Sequence, residues 1–163
     1  MTVTLALAKQ HLRILHDEED TLIGSYMAAA VAWVENYTGK FLTRKEATQV
    51  EAQFGSFLTL FYGPSPATLS IAYTDADDAG QTIADAKIVR DRVYPASSWP
   101  AIAGDTPITL TYQAGYETTP ADLDHAVLLL VGEYYDNREA GEAAPAVTAA
   151  VESLCRPYRS LRV

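Results

Sequence analysis

This sequence predicts an α+β fold: a helical bundle of about four helices, with a small antiparallel β-region inserted between the second and third. Three observations predict it. Apolar residues recur at helical spacing over 4–15, 18–38, 120–138 and 145–155. Across 41–116 the pattern changes to short β-branched and aromatic runs divided by Gly, Pro and Asp clusters. The order helix, helix, sheet, helix, helix keeps the two kinds of structure apart along the chain, as α+β proteins do.

The first helix has Leu5, Ala8, Leu12 and Leu15 on one face, with Thr4 as its N-cap. Asp17 is expected to cap the second helix, whose first turn carries Glu18, Glu19 and Asp20, charges that suit the positive end of a helix dipole. Leu22, Ile23, Tyr26, Met27, Ala30, Trp33, Val34 and Tyr37 then follow the i, i+3, i+4, i+7 rule, and Gly39 supplies the stop.

In the β-region, "ATQVEAQF", "FLTLFY", "TLSIAYTD", "QTIADAKIVRDRVYP" and "PITLTYQAG" read as four to six antiparallel strands. The prolines of "YGPSPA" suit an edge or a turn rather than a central strand. Gly115 ends the last strand. In the next junction Thr119 is expected as N-cap, Pro120 at N1 and Asp122 at N3 of a capping-box variant. The helix that follows is apolar almost all round, with Leu123, Val127, Leu130, Val131 and Tyr134 on one face and Ala126, Leu128 and Leu129 elsewhere. Such a helix is buried on two sides, in a core or against another subunit. After a loop containing Gly141 and Pro145, Val147, Ala150, Val151 and Leu154 line a last helix ended by Pro157. We expect one domain over 1–155 and an extended C-terminal tail over 156–163.

At 163 residues the chain is long enough to bury a core, and no run approaches the roughly 18 apolar residues of a membrane span. A signal peptide is not visible at the N-terminus, and the single cysteine, Cys155, excludes an intrachain disulfide; both suit a cytosolic origin. The net charge of −9, from 12 basic and 21 acidic residues, argues against a chain whose main task is gripping nucleic acid. The segment "RPYRSLRV" holds Arg156, Arg159 and Arg162 and no acid. Removing its +3 leaves −12 on residues 1–155, an acidic body with a basic tail.

No active site is legible in the residues. His11 and His16 stand five apart, off one helical face, beside acids that cap a helix, so a solvated junction is the better reading than a metal site. "DADDAG" opens like a calcium loop, but Ala79 takes the fifth ligand position and Ala86 the place of the bidentate Glu, which leaves a polar hairpin turn. His125 lies in no catalytic motif, and Cys155 sits at the edge of an apolar helical face. Ten tyrosines either fill a core or, with one wet end, mark subunit interfaces. Tyr26, Trp33, Tyr37, Leu128, Tyr134 and Tyr135 are the candidates for such core or interface positions.

Three stretches carry a family resemblance. "TLALAKQHLRILHDEEDTLIGSYMAAAVAWVENYTGK" places a His-Asp-x-x-Asp junction between a short and a long helix ending in Tyr-Thr-Gly. "ITLTYQAGYETTPADLDHAVLLLVGEYYDNRE" runs from Thr-Tyr-x-Ala-Gly-Tyr through Pro-Ala-Asp-Leu to Tyr-x-Asn-Arg-Glu, and "LCRPYRSLRV" contains Pro-Tyr-Arg. In this order the stretches resemble the head–tail connector, or adaptor, proteins of long-tailed bacteriophages and gene transfer agents. Leu7 departs from the acid expected at N3 of the first helix.

The resemblance implies a structural virion protein of the neck, made in the bacterial host cytoplasm, with no enzymatic activity and no cofactor. It implies a ring of roughly a dozen copies beneath the portal, linking capsid to tail around a DNA exit channel. The implied partners are other copies, the portal and a stopper or tail-completion protein. DNA would pass without specific binding, and no membrane is involved. Another neck component, a stopper or tail-completion protein, is the alternative. On this reading the tail docks on the portal: Tyr158 and Leu161 enter apolar pockets, Arg156, Arg159 and Arg162 pair with carboxylates, and Pro157 releases the segment from the last helix.

Overall fold

A computed structural model of the chain describes residues 3–138 and 145–159. The chain divides into two compact units, a helical unit formed by 1–43 and 117–163 and a β-rich unit formed by 44–116.

The helical unit holds α1 (Leu5–Leu12), α2 (Asp20–Thr38), α3 (Ala121–Asp136) and α4 (Pro145–Cys155), followed by a 3-10 turn at Arg156–Tyr158. Thr4 caps α1 as expected, its hydroxyl accepting from the Leu7 amide at 3.2 Å. The helix stops at Leu12 rather than 15, because Arg13 turns left-handed (φ 60°) and its N–H closes onto the Gln10 and Lys9 carbonyls. Leu15 is thereby left outside the helix. Asp17 does not cap α2: Glu19 occupies the cap position without a side-chain bond, and Asp17 pairs with Lys9. Gly39 ends α2 in the left-handed conformation (φ 68°), as the sequence predicts. The core of this unit includes Ala8, Ile23, Ala30, Val34, Leu42, Leu123, Ala126, Val127, Leu130, Val131, Val151 and Cys155.

The junction into α3 differs from the expectation. Pro120 is the cap residue, so Thr119 lies one place too early to reach the first-turn amides, and the helix has no side-chain cap. Instead the buried Thr119 hydroxyl donates to the Leu42 carbonyl at 2.8 Å, fastening the start of α3 to the chain just beyond α2. Asp122 and Asp124 still lie in the first turn, where the dipole favours them. Thr119→Ala should therefore cost about 1–3 kcal/mol, by stripping a buried carbonyl of a donor. Chemical denaturation checks this, and an unchanged midpoint would show that the bond contributes nothing.

The β-rich unit contains seven strands among its residues: β1 (Lys45–Glu51), β2 (Leu58–Thr59), β3 (Ala67–Thr74), β4 (Gly80–Ile83), β5 (Lys87–Val89), β6 (Arg92–Tyr94) and β7 (Ile108–Ala114). They form two antiparallel sheets, ordered β1-β7-β3-β4 and β2-β6-β5, where four to six strands were expected. β7 is central in the larger sheet and buries every second residue, Ile108, Leu110, Tyr112 and Ala114. Its neighbours bring Ala47 opposite Tyr112, and both Gln49 and Ile71 opposite Leu110. Pro64 and Pro66 lie before β3, so the strand itself keeps its donors and sits inside the sheet. The 75–80 segment is the hairpin turn the sequence predicts: Asp75 Oδ1 accepts from the Asp77 and Ala79 amides, both at 3.0 Å, between β3 and β4.

Candidate functional site

The C-terminal turn lies against its own helical unit. Arg156, Pro157 and Tyr158 form the 3-10 turn directly after α4, and Arg159 becomes extended (φ −66°, ψ 128°). The Tyr158 hydroxyl donates to Asp122 Oδ2 at 2.9 Å, fixing the turn to the start of α3. That bond raises the phenol's pKa above its ordinary value. The Arg159 guanidinium stands 5.2 Å from the centre of the Tyr37 ring, which itself stacks on Trp33 with centroids 5.1 Å apart. Tyr37, Glu152, Arg156, Pro157 and Arg159 line an open groove here. The tail was expected to leave the body at Pro157; over 156–159 it stays on it, because Tyr158 finds a carboxylate and Arg159 an aromatic face. Leu161 and Arg162 lie outside the described residues.

All six expected core or interface residues, Tyr26, Trp33, Tyr37, Leu128, Tyr134 and Tyr135, are half-buried. Smaller aliphatic side chains fill the centre, and these residues border it with one edge wet. Tyr26 and Tyr134 meet across α2 and α3 with ring centroids 6.3 Å apart. Burial pushes the Tyr134 phenol up. At the far end of α3 the Tyr135 hydroxyl donates to Glu19 Oε2, and Arg138 lies over the Tyr135 ring at 4.4 Å. Arg138 also reaches Glu19 Oε1 at 2.8 Å. From the sequence Glu19 is expected only to face the helix dipole; its carboxylate in fact joins the start of α2 to the end of α3.

The Tyr135 bond, and then Arg138, hold the Glu19 carboxyl below its ordinary pKa. A carboxyl that is more acidic folded than unfolded stabilises the fold in full above its unfolded pKa, and that contribution disappears as pH falls through the lower folded value. The melting temperature of wild type should therefore exceed that of Glu19→Gln at neutral pH, with the gap closing in acid below the usual carboxylate range. A gap that stays constant with pH would remove the charge from the explanation.

No group of three His, Cys, Asp or Glu among the described residues is placed to hold a metal ion. His16 Nδ1 lies 2.7 Å from Glu18 Oε2. Cys155 is buried, and desolvation pushes its thiol up to about 11. No helix among the described residues is long and apolar enough to cross a membrane.

The β-rich unit holds a polar junction that no sequence motif announces. Gln49, buried in β1, donates to the Thr59 carbonyl at 2.8 Å and to Glu51 Oε1 at 3.0 Å. Its Oε1 accepts from the Phe61 amide and the Tyr112 hydroxyl, both at 3.0 Å. Tyr112 in turn accepts from the Tyr62 amide at 3.0 Å. The available signal was Gln49 itself, a polar residue at a buried parity of an alternating strand.

Comparison with known proteins gives a family and a fold. Residues 2–61 match the family described as phage gp6-like head–tail connector protein. A chain in the neck of the empty gene transfer agent particle, C6 symmetry, superposes with a TM-score of 0.84 at 28% identity, covering 99% of this chain and 91% of that one. A chain of the native gene transfer agent virion gives 0.81 at 28% identity, with coverages of 99% and 91%. One in the native neck with C12 symmetry gives 0.76 at 28% identity, with coverages of 100% and 94%. The search of curated proteins finds no match. The chain is thus similar over residues 2–61 to phage gp6-like head–tail connector proteins, and over essentially its whole length to a chain of the gene transfer agent neck.

Proposed function

We propose that the protein is a structural subunit of the neck of a phage or gene transfer agent particle. Copies form a ring beneath the portal, join the capsid to the tail and leave a channel for DNA. The observation that carries this reading is the agreement of nearly the whole chain with a chain from a gene transfer agent neck, described at C6 and C12 symmetry. A twelvefold arrangement fits a ring of roughly a dozen copies.

A cyclic ring is built from a heterologous contact, so each subunit presents two different faces to its neighbours. The half-buried aromatics Tyr26, Trp33, Tyr37, Tyr134 and Tyr135, with Leu128, are suited to such faces, since each keeps apolar area and a wet edge. The charge distribution suits the channel: −12 on residues 1–155 repels phosphate and lets DNA pass without adhering. Arg156, Pro157, Tyr158, Arg159, Leu161 and Arg162 form the portal-docking tail, rooted on the helical unit by the Tyr158–Asp122 bond. The role is structural, with no reaction to catalyse and no cofactor to hold.

The native mass of the purified protein, measured alone and then with portal added, tests this. A single large complex containing both, at a subunit ratio consistent with one ring per portal, is the expected result. Binding to tail components with none to the portal would instead make the protein a stopper or tail-completion subunit.

A further inference from the structure

Two exposed apolar residues stand out by their surroundings. Leu15 is 98% exposed, in the α1–α2 connection. That connection is pinned rather than loose: Ile14 is buried and its N–H donates to the Lys9 carbonyl at 2.9 Å, while Lys9 Nζ reaches Asp20 at 2.7 Å and also pairs with Asp17. Leu15 is therefore held out as a fixed knob. Its exposed neighbours are Arg13, His16 and two carboxylates, Asp17 with 87% and Glu18 with 80% of the side chain exposed; Asp17 also pairs with Lys9, and Glu18 lies 2.7 Å from His16.

Val89 is 56% exposed on the β5–β6 hairpin. Alternation along β5 puts Lys87 on the same outward face, while Ile88 turns inward and pairs with Val93. Arg90 forms the tip with a left-handed φ of 62°, where glycine or asparagine is the easier residue. Residues 87–92 carry three cations and one acid in a chain whose net charge is −9. Arg92 is engaged over the Phe57 ring at 4.2 Å, which leaves Lys87 and Arg90 around Val89.

We infer that the β5–β6 hairpin of one copy docks on the α1–α2 knob of the next, with Val89 against Leu15 and Lys87 and Arg90 facing Asp17 and Glu18. This deepens the ring reading and rests on it. The two surfaces are complementary at these positions: Lys87 and Arg90 flank the apolar centre on one, and the exposed carboxylates of Asp17 and Glu18 follow the apolar centre on the other, open to a further cation beside their partners in the same chain. They are also different patches, as a head-to-tail contact requires, so the same contact repeats around a closed ring.

Cysteines at the two centres test the contact in the full-length protein, and the buried Cys155 can remain in place. Leu15→Cys/Val89→Cys, assembled with portal and oxidised, should give a ladder of covalent multimers beyond the dimer, while either single variant gives none. Complete rings without a ladder, a cross-link inside one chain, or dimers from a single variant would overturn the contact and leave the ring standing. Wild-type protein that stays monomeric with portal would overturn the ring, and this contact with it.

Charge reversal supplies a second readout. Glu18→Lys, or Lys87→Glu with Arg90→Glu, should each weaken ring assembly at least tenfold, most strongly at low salt, and the combined variant should recover most of it. Arg90→Gly should melt no lower than wild type, since glycine accepts the tip conformation, yet assemble less well. If the combined variant is no better than the separate ones and the hairpin variants instead lose DNA from otherwise intact particles, the hairpin serves nucleic acid and the inference fails.

Discussion

Tyr112→Ala should destabilise the β-rich unit by about 3–5 kcal/mol, enough to leave a marginal domain largely unfolded. Tyr112 is 1% exposed on the central strand β7, so truncation opens a ring-sized cavity where neighbouring strands cannot close in. It also removes the hydroxyl that donates to Gln49 and accepts from the Tyr62 amide. Tyr112→Phe separates the two contributions: it keeps the ring and loses the bonds, for about 1–3 kcal/mol. Denaturant titration followed by far-UV circular dichroism measures both. If Tyr112→Phe proves as damaging as Tyr112→Ala, the hydrogen-bonded junction outweighs the packing; if both are silent, β7 is not the core strand of this unit.

How legible was this in the sequence? Local patterns read well. The apolar spacing of α2 and its Gly39 stop both appear in the structure, as do the Thr4 cap and the Asp75 hairpin. Each depends on residues within a few positions of one another. What failed depends on distant partners. Thr119 has the residue type of a cap, but the helix starts one residue later and the Leu42 carbonyl, 77 positions earlier, takes its hydroxyl. Gln49 and Tyr112 are 63 apart, and no periodicity announces that they meet. Asp17 and Glu19 were read by the charge a helix start prefers; Lys9 and Arg138 then claimed them. Strand pairing is non-local in the same sense, so a run of short strands could be recognised while its division into two sheets could not. The tail residues were legible as a composition, Tyr and Arg after Pro157, but their resting contacts with Asp122 and Tyr37 were not.

Two truncations separate what the C-terminal segment does for the fold from what it does for assembly. Stopping after Arg159 keeps the Tyr158–Asp122 bond and the Arg159–Tyr37 contact. This shortened protein should keep the wild-type melting temperature. It loses Leu161 and Arg162, and if each is an interface anchor contributing about 2 kcal/mol, docking on the portal weakens by roughly a thousandfold. Particles should then lose their tails or leak DNA. Stopping before Pro157 removes the two resting contacts as well, which should lower stability by about 1 kcal/mol, the scale of one exposed hydrogen bond with one cation–π contact. Arg162→Glu is a single change that leaves the Arg159–Tyr37 contact in place; its defect should lessen as salt screens the misplaced charge. The reading is lost if the protein ending at Arg159 still builds tailed, DNA-retaining particles. The segment beyond the turn would then have no part in attachment.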